Sequence, residues 1–192
     1  PIPDAAKWAD LHWTPFDNPH LPPDYLDTLK ALSGAKRRRM LEGAWCDNEG
    51  AVYDEFDEDV HVVGPFEVPK DWRRVRGIDF GYSNPFVCLW GALDGDGRLH
   101  IYRERYQART LTRDHATAIK EAESAAWLWT VADHDAEERA QLESCGIHTK
   151  AARKDVLPGI EAVKNRLRVQ PDGKPRLTVS KSCQNLIGEF YD

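Results

Sequence analysis

The tetrapeptide Asp94-Gly95-Asp96-Gly97 lies between two runs of strand-forming residues, Phe86 to Leu93 and Leu99 to Tyr106. Asp-Gly pairs tolerate the left-handed backbone of a tight hairpin, so the two flanking runs are predicted to pair antiparallel. A third apolar run, Val75 to Phe80, comes just before them, which makes a three-stranded meander the expected nucleus of the fold.

The pattern then changes to alternating helix and strand. Thr112 is suited to cap a helix with Asp114 in its first turn, running through Ala116, Ile119 and Ala122 to about Ser124. Trp127 to Ala132 reads as a strand; Asp135 caps the next helix, with Gly146 just past its end. Ile147 to Ala151 is a further strand, followed by a helix opened by Asp155 and Pro158 that carries Ile160, Val163 and Leu167 on one face. A strand near Leu177 to Val179 and a helix from Ser182 onward complete the chain. A meander followed by right-handed crossovers sets the 127–132 strand beside the 75–80 strand. The expected fold is therefore α/β: a ribonuclease H-like mixed five-stranded sheet flanked by helices.

Residues 1–70 read differently. Pro15, Pro19, Pro22 and Pro23 interrupt the start, helices are expected only over Asp24 to Leu32 and Lys36 to Glu42, and the rest suggests a linker or accessory segment ahead of a main domain at 71–192. The chain begins at Pro1 and stops at Asp192 inside an amphipathic pattern, so a fragment of something longer is expected. The longest apolar stretch, Ala125 to Ala132, is far shorter than the roughly 18 residues of a membrane span. Cys46, Cys88, Cys145 and Cys183 form no Cys-x-x-Cys pair and read as small hydrophobes in a reducing compartment. A net charge of −6 argues against a surface coated for nucleic acid. It leaves room for a local groove built from Lys36 to Arg39, Lys70 to Arg76, Arg103/Arg105/Arg109/Arg113 or Lys150/Arg153/Lys154.

Two carboxylates stand out. Asp79 sits between Ile78 and Phe80 on the first core strand, and Asp133 follows the strand that is expected to lie beside it. An ionised acid is costly on a central strand unless a cation meets it. Carboxylates without thiolates suit Mg²⁺ or Mn²⁺ rather than Zn²⁺, and two such ions roughly 4 Å apart are the recurring device of phosphodiester hydrolysis. Asp79 would bridge the metals and Asp133 would bind one of them. Asp135 reads as a helix cap first and a ligand second, and His134 as a neighbour pointing away from the acids. Lys154 is placed to contact a phosphate, Glu104 to pair with Arg103 or Arg105, and Trp72 and Trp90 to fill the core rather than stack on bases.

With these residues in view, the chain resembles the C-terminal nuclease domain of the large terminase subunit of tailed bacteriophages. His12-Trp13-Thr14, Asn18-Pro19, Leu21-Pro22, Tyr25-Leu26, Ser33-Gly34, Leu41-Glu42-Gly43-Ala44-Trp45 and Gly50-Ala51-Val52-Tyr53 are similar to the segment that joins the packaging ATPase to the nuclease. Gly77-Ile78-Asp79-Phe80-Gly81, Val131-Ala132-Asp133, Ala152-Arg153-Lys154 and Gly159-Ile160 are similar to core positions in the same order. The resemblance implies a metal-dependent endonuclease that cuts concatemeric double-stranded viral DNA in the cytoplasm of an infected bacterium. Asp79 and Asp133 would be catalytic, and Arg76, Arg153 and Lys154 would contact DNA. It also implies as partners an upstream terminase ATPase domain, the small terminase subunit and the portal. The family's third acid lies in an Asp-His-x-x-Asp-Ala segment that this sequence lacks; Asn185, Glu189 and Tyr191 resemble the stretch before it, and Asp192 is not expected to replace it.

Two other readings remain open. The fold can serve as a non-catalytic module docking DNA or portal. Gly-Ile-Asp-Phe-Gly also opens actin-like ATPases and sugar kinases, although Asn84-Pro85 stands where small residues are expected and no second phosphate loop follows. No Gly-x-x-x-x-Gly-Lys-[Ser/Thr] occurs, so the sequence does not contain a packaging motor of that type.

Overall fold

The computed structural model describes residues 12–30, 40–43, 52–122 and 127–191, together with the backbone but not the side chains of Trp127 and Leu128. In chain order the elements are α1 (Pro23–Lys30), α2 (Glu58–His61), β1 (Val62–Val63), β2 (Arg73–Asp79), β3 (Phe86–Leu93) and β4 (Leu99–Gln107). These are followed by α3 (Thr112–Ala122), β5 (Trp127–Ala132), α4 (Ala136–Ser144), β6 (Lys150–Ala151), α5 (Val156–Leu167), β7 (Leu177–Ser180) and α6 (Gln184–Glu189).

The hairpin forms where its turn residues predict it. The Asp94 Oδ1 accepts hydrogen bonds from the amides of Asp96 and Arg98 at 2.9 and 2.8 Å, and Gly97 takes the left-handed conformation at φ 77°. That pins β3 to β4, and β2 pairs antiparallel with β3 from Arg73↔Leu93 to Asp79↔Val87. Strand β5 then lies parallel to β2, with Ile78 opposite Ala132.

The sheet has seven strands, ordered β1-β7-β4-β3-β2-β5-β6, rather than the five expected. Strand β6 keeps only Lys150–Ala151 of the expected 147–151 strand, because Ile147 turns inward to the core. Strands β7 and β1 extend the other edge, where Val62 and Val63 pair with Val179 and Ser180. The start of the domain also moves. Residues 53–63, read with the linker, belong to the core: Phe56 is 2% exposed, and His61 Nε2 lies 2.6 Å from the Leu167 carbonyl oxygen. A short stretch rich in acids gave no periodicity from which to see this. The predicted 36–42 helix has its residues 36–39 outside the described residues, as do the end of the helix expected at Ser124, Cys46 and Asp192.

Each face of the sheet builds its own core. On one, α3 and α4 cover Ile78, Phe86, Cys88, Trp90 and Ala132 with Ala116, Ile119 and Leu142. On the other, Leu167 of α5, Ile187 of α6, Phe56 and Phe190 cover Ile101, Leu177 and Val179. Cys88 and Cys183 are buried free thiols, and burial pushes that of Cys88 up to about 12. Trp90 is buried beneath the Arg103 guanidinium, 5.9 Å from the ring centroid, and has no face for a base.

His115 is fully buried, stacked on Phe86 at 3.9 Å, and accepts a hydrogen bond from Arg105 Nε at 2.9 Å. Burial, reinforced by the Arg105 charge, pushes its pKa down to about 4 from 6.5. The unfolded chain then binds the extra proton between those values, so stability is complete above about pH 6.5 and is lost as pH falls toward 4. The loss reaches up to about 3 kcal/mol. Denaturant melts across that window should show this slope, and His115→Gln should flatten it.

Candidate active site

Asp79 is the last residue of β2, and Asp133 follows the last residue of β5 directly. The strands are parallel and in register at Ile78↔Ala132, and the Asp133 amide donates to the Ile78 carbonyl at 3.1 Å. Side chains alternate along a strand, so both acids leave the sheet on the same face, one strand spacing apart. The carboxyl end of a parallel pair is where open α/β sheets gather ligand groups. Burial raises the Asp79 pKa, and the Asp133 charge raises it further, against the lowering effect of the Phe80 amide. An acid pair coupled in this way is a ready site for a cation.

The backbone around Asp79 is tightly folded. A Cβ on Gly81 would lie 2.5 Å from the Pro85 carbonyl oxygen and 2.6 Å from that of Asn84. Gly81→Ala must therefore open the 80–85 loop beside Asp79. The expected result is a loss of about 1–3 kcal/mol in stability together with reduced cleavage, measured by thermal melts and nicking assays.

His134 departs from expectation. Its Nδ1 lies 2.6 Å from Asp133 Oδ1, and its own amide donates to the same oxygen at 2.7 Å. The Asx-like turn at 133–134 folds the ring back onto the carboxylate, which strand alternation alone does not reveal. His134 thus orients Asp133 and leaves Oδ2 as the oxygen with no such contact.

Glu104 is also placed otherwise than expected. It lies on the same face as the acid pair, opposite Leu89 and two strands from Gly77, but pairs with neither arginine beside it. One oxygen accepts from the amide and side chain of Asn185 at 2.9 and 2.7 Å, and the other from the Leu186 amide at 2.9 Å. Its oxygens are committed to the start of α6. Arg105 goes to His115 and Arg103 to the Ala122 carbonyl.

Asp135 stands at the N-cap of α4, its Oδ1 accepting from the Glu137 and Glu138 amides at 3.0 and 3.1 Å. Arg76 is buried, 8% exposed, with its guanidinium on Thr130 Oγ1 at 3.1 and 3.2 Å. That geometry gives a phosphate no access to it, because alternation turns Arg76 to the face opposite Asp79. Arg153 and Lys154 are exposed, and no hydrogen bond or ion pair engages them among the described residues.

As a donor set, the two carboxylates fit one hard divalent cation completed by water and a phosphate oxygen. No group of three or more His, Cys, Asp or Glu residues is arranged to hold a metal among the described residues.

Comparison with solved structures places this arrangement. The chain superposes on the full-length large terminase of a thermophilic bacteriophage with a TM-score of 0.66 at 24% identity, covering 95% of this chain and 46% of that one. On the P22 large terminase nuclease domain the TM-score is 0.62 at 18% identity, covering 74% and 78%. This chain has the fold of a large terminase nuclease domain. The nuclease of thermophilic phage G20c, solved with bound zinc, matches at a TM-score of 0.54 and 17% identity over 74% of this chain and 88% of that one. The chain spans about half the length of the first of these terminases and most of the isolated P22 and G20c nucleases. No family model and no curated protein matches the sequence.

Proposed function

We propose that this chain is the nuclease portion of a phage packaging terminase, a metal-dependent endonuclease that cuts concatemeric double-stranded DNA. The observation that carries the reading is the adjacency of Asp79 and Asp133 on one face, at the carboxyl ends of parallel strands, in the large terminase nuclease fold. A phosphate-binding, kinase-like role has no comparable support.

Asp79 and Asp133 would hold the metal. Their oxygen donors favour Mg²⁺ or Mn²⁺, and the zinc in the G20c nuclease supports divalent-cation binding in this fold. When bound, such ions supply charge neutralisation at the phosphate and an acidified water, two ions doing so from both sides of the bond. His134 holds Asp133 in its ligating orientation, and Arg153 and Lys154 meet the flanking phosphates. Asp135 serves as a helix cap and at most an outer ligand. By the same reading the domain works beside an ATPase domain, a small terminase subunit and a portal, in the cytoplasm of an infected bacterium.

A docking module without catalysis is the second reading, favoured by the absence of a third ligating acid among the described residues. Supercoiled plasmid separates the two. Nicking and then linearisation in Mn²⁺ or Mg²⁺, stopped by EDTA, is the expected result. Retained DNA binding without cleavage in either metal would establish the docking module instead, and cleavage that survives EDTA would remove the metal from the reading.

A further inference from the structure

Val156 and Leu157 are the most exposed large hydrophobic residues among those described, at 69% and 76%. They are consecutive and open α5, and exposing such a pair without a partner forfeits the gain that burial would bring. Their position in the fold is informative. Strand β6 runs parallel to β5, with Ala151 opposite Ala132, and the Ala152 amide donates to the Ala132 carbonyl at 2.7 Å. The next residue after Ala132 is Asp133. The 152–157 loop therefore leaves the sheet at the acid end, tethered one residue from a candidate ligand. Four extended residues span at most about 14 Å, so Val156 stays within that distance of Ala152.

The same loop carries Arg153 and Lys154, both exposed and unengaged among the described residues, with Asp155 as its only opposing charge. Other cationic clusters are occupied: Arg168 and Lys164 reach Glu55, and Arg176 reaches Asp172. Two open cations followed by two open aliphatic side chains are complementary to duplex DNA, whose phosphates flank a groove of stacked, partly apolar base edges. Proteins that combine basic contacts with an inserted Leu, Ile or Met open base steps in this way.

Building on the nuclease reading, we propose that Val156 and Leu157 form an apolar wedge that enters a groove of the DNA beside the bond at Asp79 and Asp133, while Arg153 and Lys154 grip the phosphates on either side. The wedge holds the duplex at a set offset from the acids and loosens the stack next to the cut.

The test is binding in EDTA to a short duplex carrying 2-aminopurine, whose fluorescence rises when its neighbours unstack. The chain should bind and brighten the probe. Val156→Ser with Leu157→Ser should abolish the brightening and weaken affinity about tenfold or more while leaving the salt dependence unchanged. The apolar control, Val156→Ile with Leu157→Met, should restore both. Arg153→Ala with Lys154→Ala should instead lower the slope of log affinity against log salt by about 1–2. All four positions are exposed, so unchanged thermal melts are expected, and Leu157→Ser alone serves if the double variant unfolds. Binding and brightening unchanged by the serine variants overturns the wedge and leaves the nuclease reading intact. A chain that does not bind the duplex at all overturns both.

Discussion

Asp79→Ala is expected to abolish Mn²⁺-dependent plasmid cleavage while leaving the chain folded and, without metal, slightly more stable. Loss of an outer-shell partner of a metal ligand already costs about 10–100-fold, so loss of a ligand itself should exceed about 100-fold. The stability effect has the opposite sign. Burial and the Asp133 charge raise the Asp79 pKa, so the folded state binds its proton more tightly than the unfolded chain does. Stability is therefore lost as pH rises above the ordinary carboxylate value through the raised one, and at neutral pH the ionised pair opposes folding. Removing the charge relieves that opposition. Melts in EDTA should show a midpoint about 1–3 °C higher in Asp79→Asn. Added Mn²⁺ should reverse the order, because only the intact pair gains from binding it. A variant that melts lower in EDTA, or that cuts as well as the parent chain, contradicts the assignment.

The second large effect lies far from the acids. Phe56→Ala should cost about 3–5 kcal/mol, a substantial fraction of the ~5–15 kcal/mol that holds a typical domain together. Phe56 stacks on Phe190 at 4.2 Å and 7°, meets Tyr191 edge-on at 5.6 Å, and lies 5.4 Å from the His61 ring. The contact joins the segment before β1 to α6, which Glu104 anchors on the acid face. If residues 52–63 were only a linker, the substitution would shift the midpoint by less than about a degree. A shift on the order of 10 °C is expected instead.

Much of this architecture was legible because the local signals were strong. The Asp94–Gly97 turn, the caps at Thr112 and Asp135, and Gly146 at φ 83° each mark a boundary through their own backbone chemistry, and β3 and β5 fall at their predicted limits. Adjacency of Asp79 and Asp133 followed from strand order and crossover handedness. Less legible were features that depend on what arrives from elsewhere in the chain. The two-residue strands β1 and β6 have no periodicity of their own. Arg76 reads as a surface cation in a basic run, but alternation at a central strand buries it against Thr130. Glu104 sits between two arginines in sequence, while the amides that claim it come from a helix about 80 residues later. His134 turns onto Asp133 through a local bend that no hydrophobic pattern reports.

By itself, the sequence determined a meander leading into parallel crossovers and two acids on neighbouring strands, because hairpin turns, helix caps and side-chain alternation are local consequences of residue type. Only the tertiary structure decided which charges remain open. Burial and hydrogen-bond partners are set by segments far apart in the chain, and they occupy Arg76, Arg105 and Glu104 while leaving Arg153, Lys154, Val156 and Leu157 exposed at the carboxyl end of the sheet, beside the acid pair.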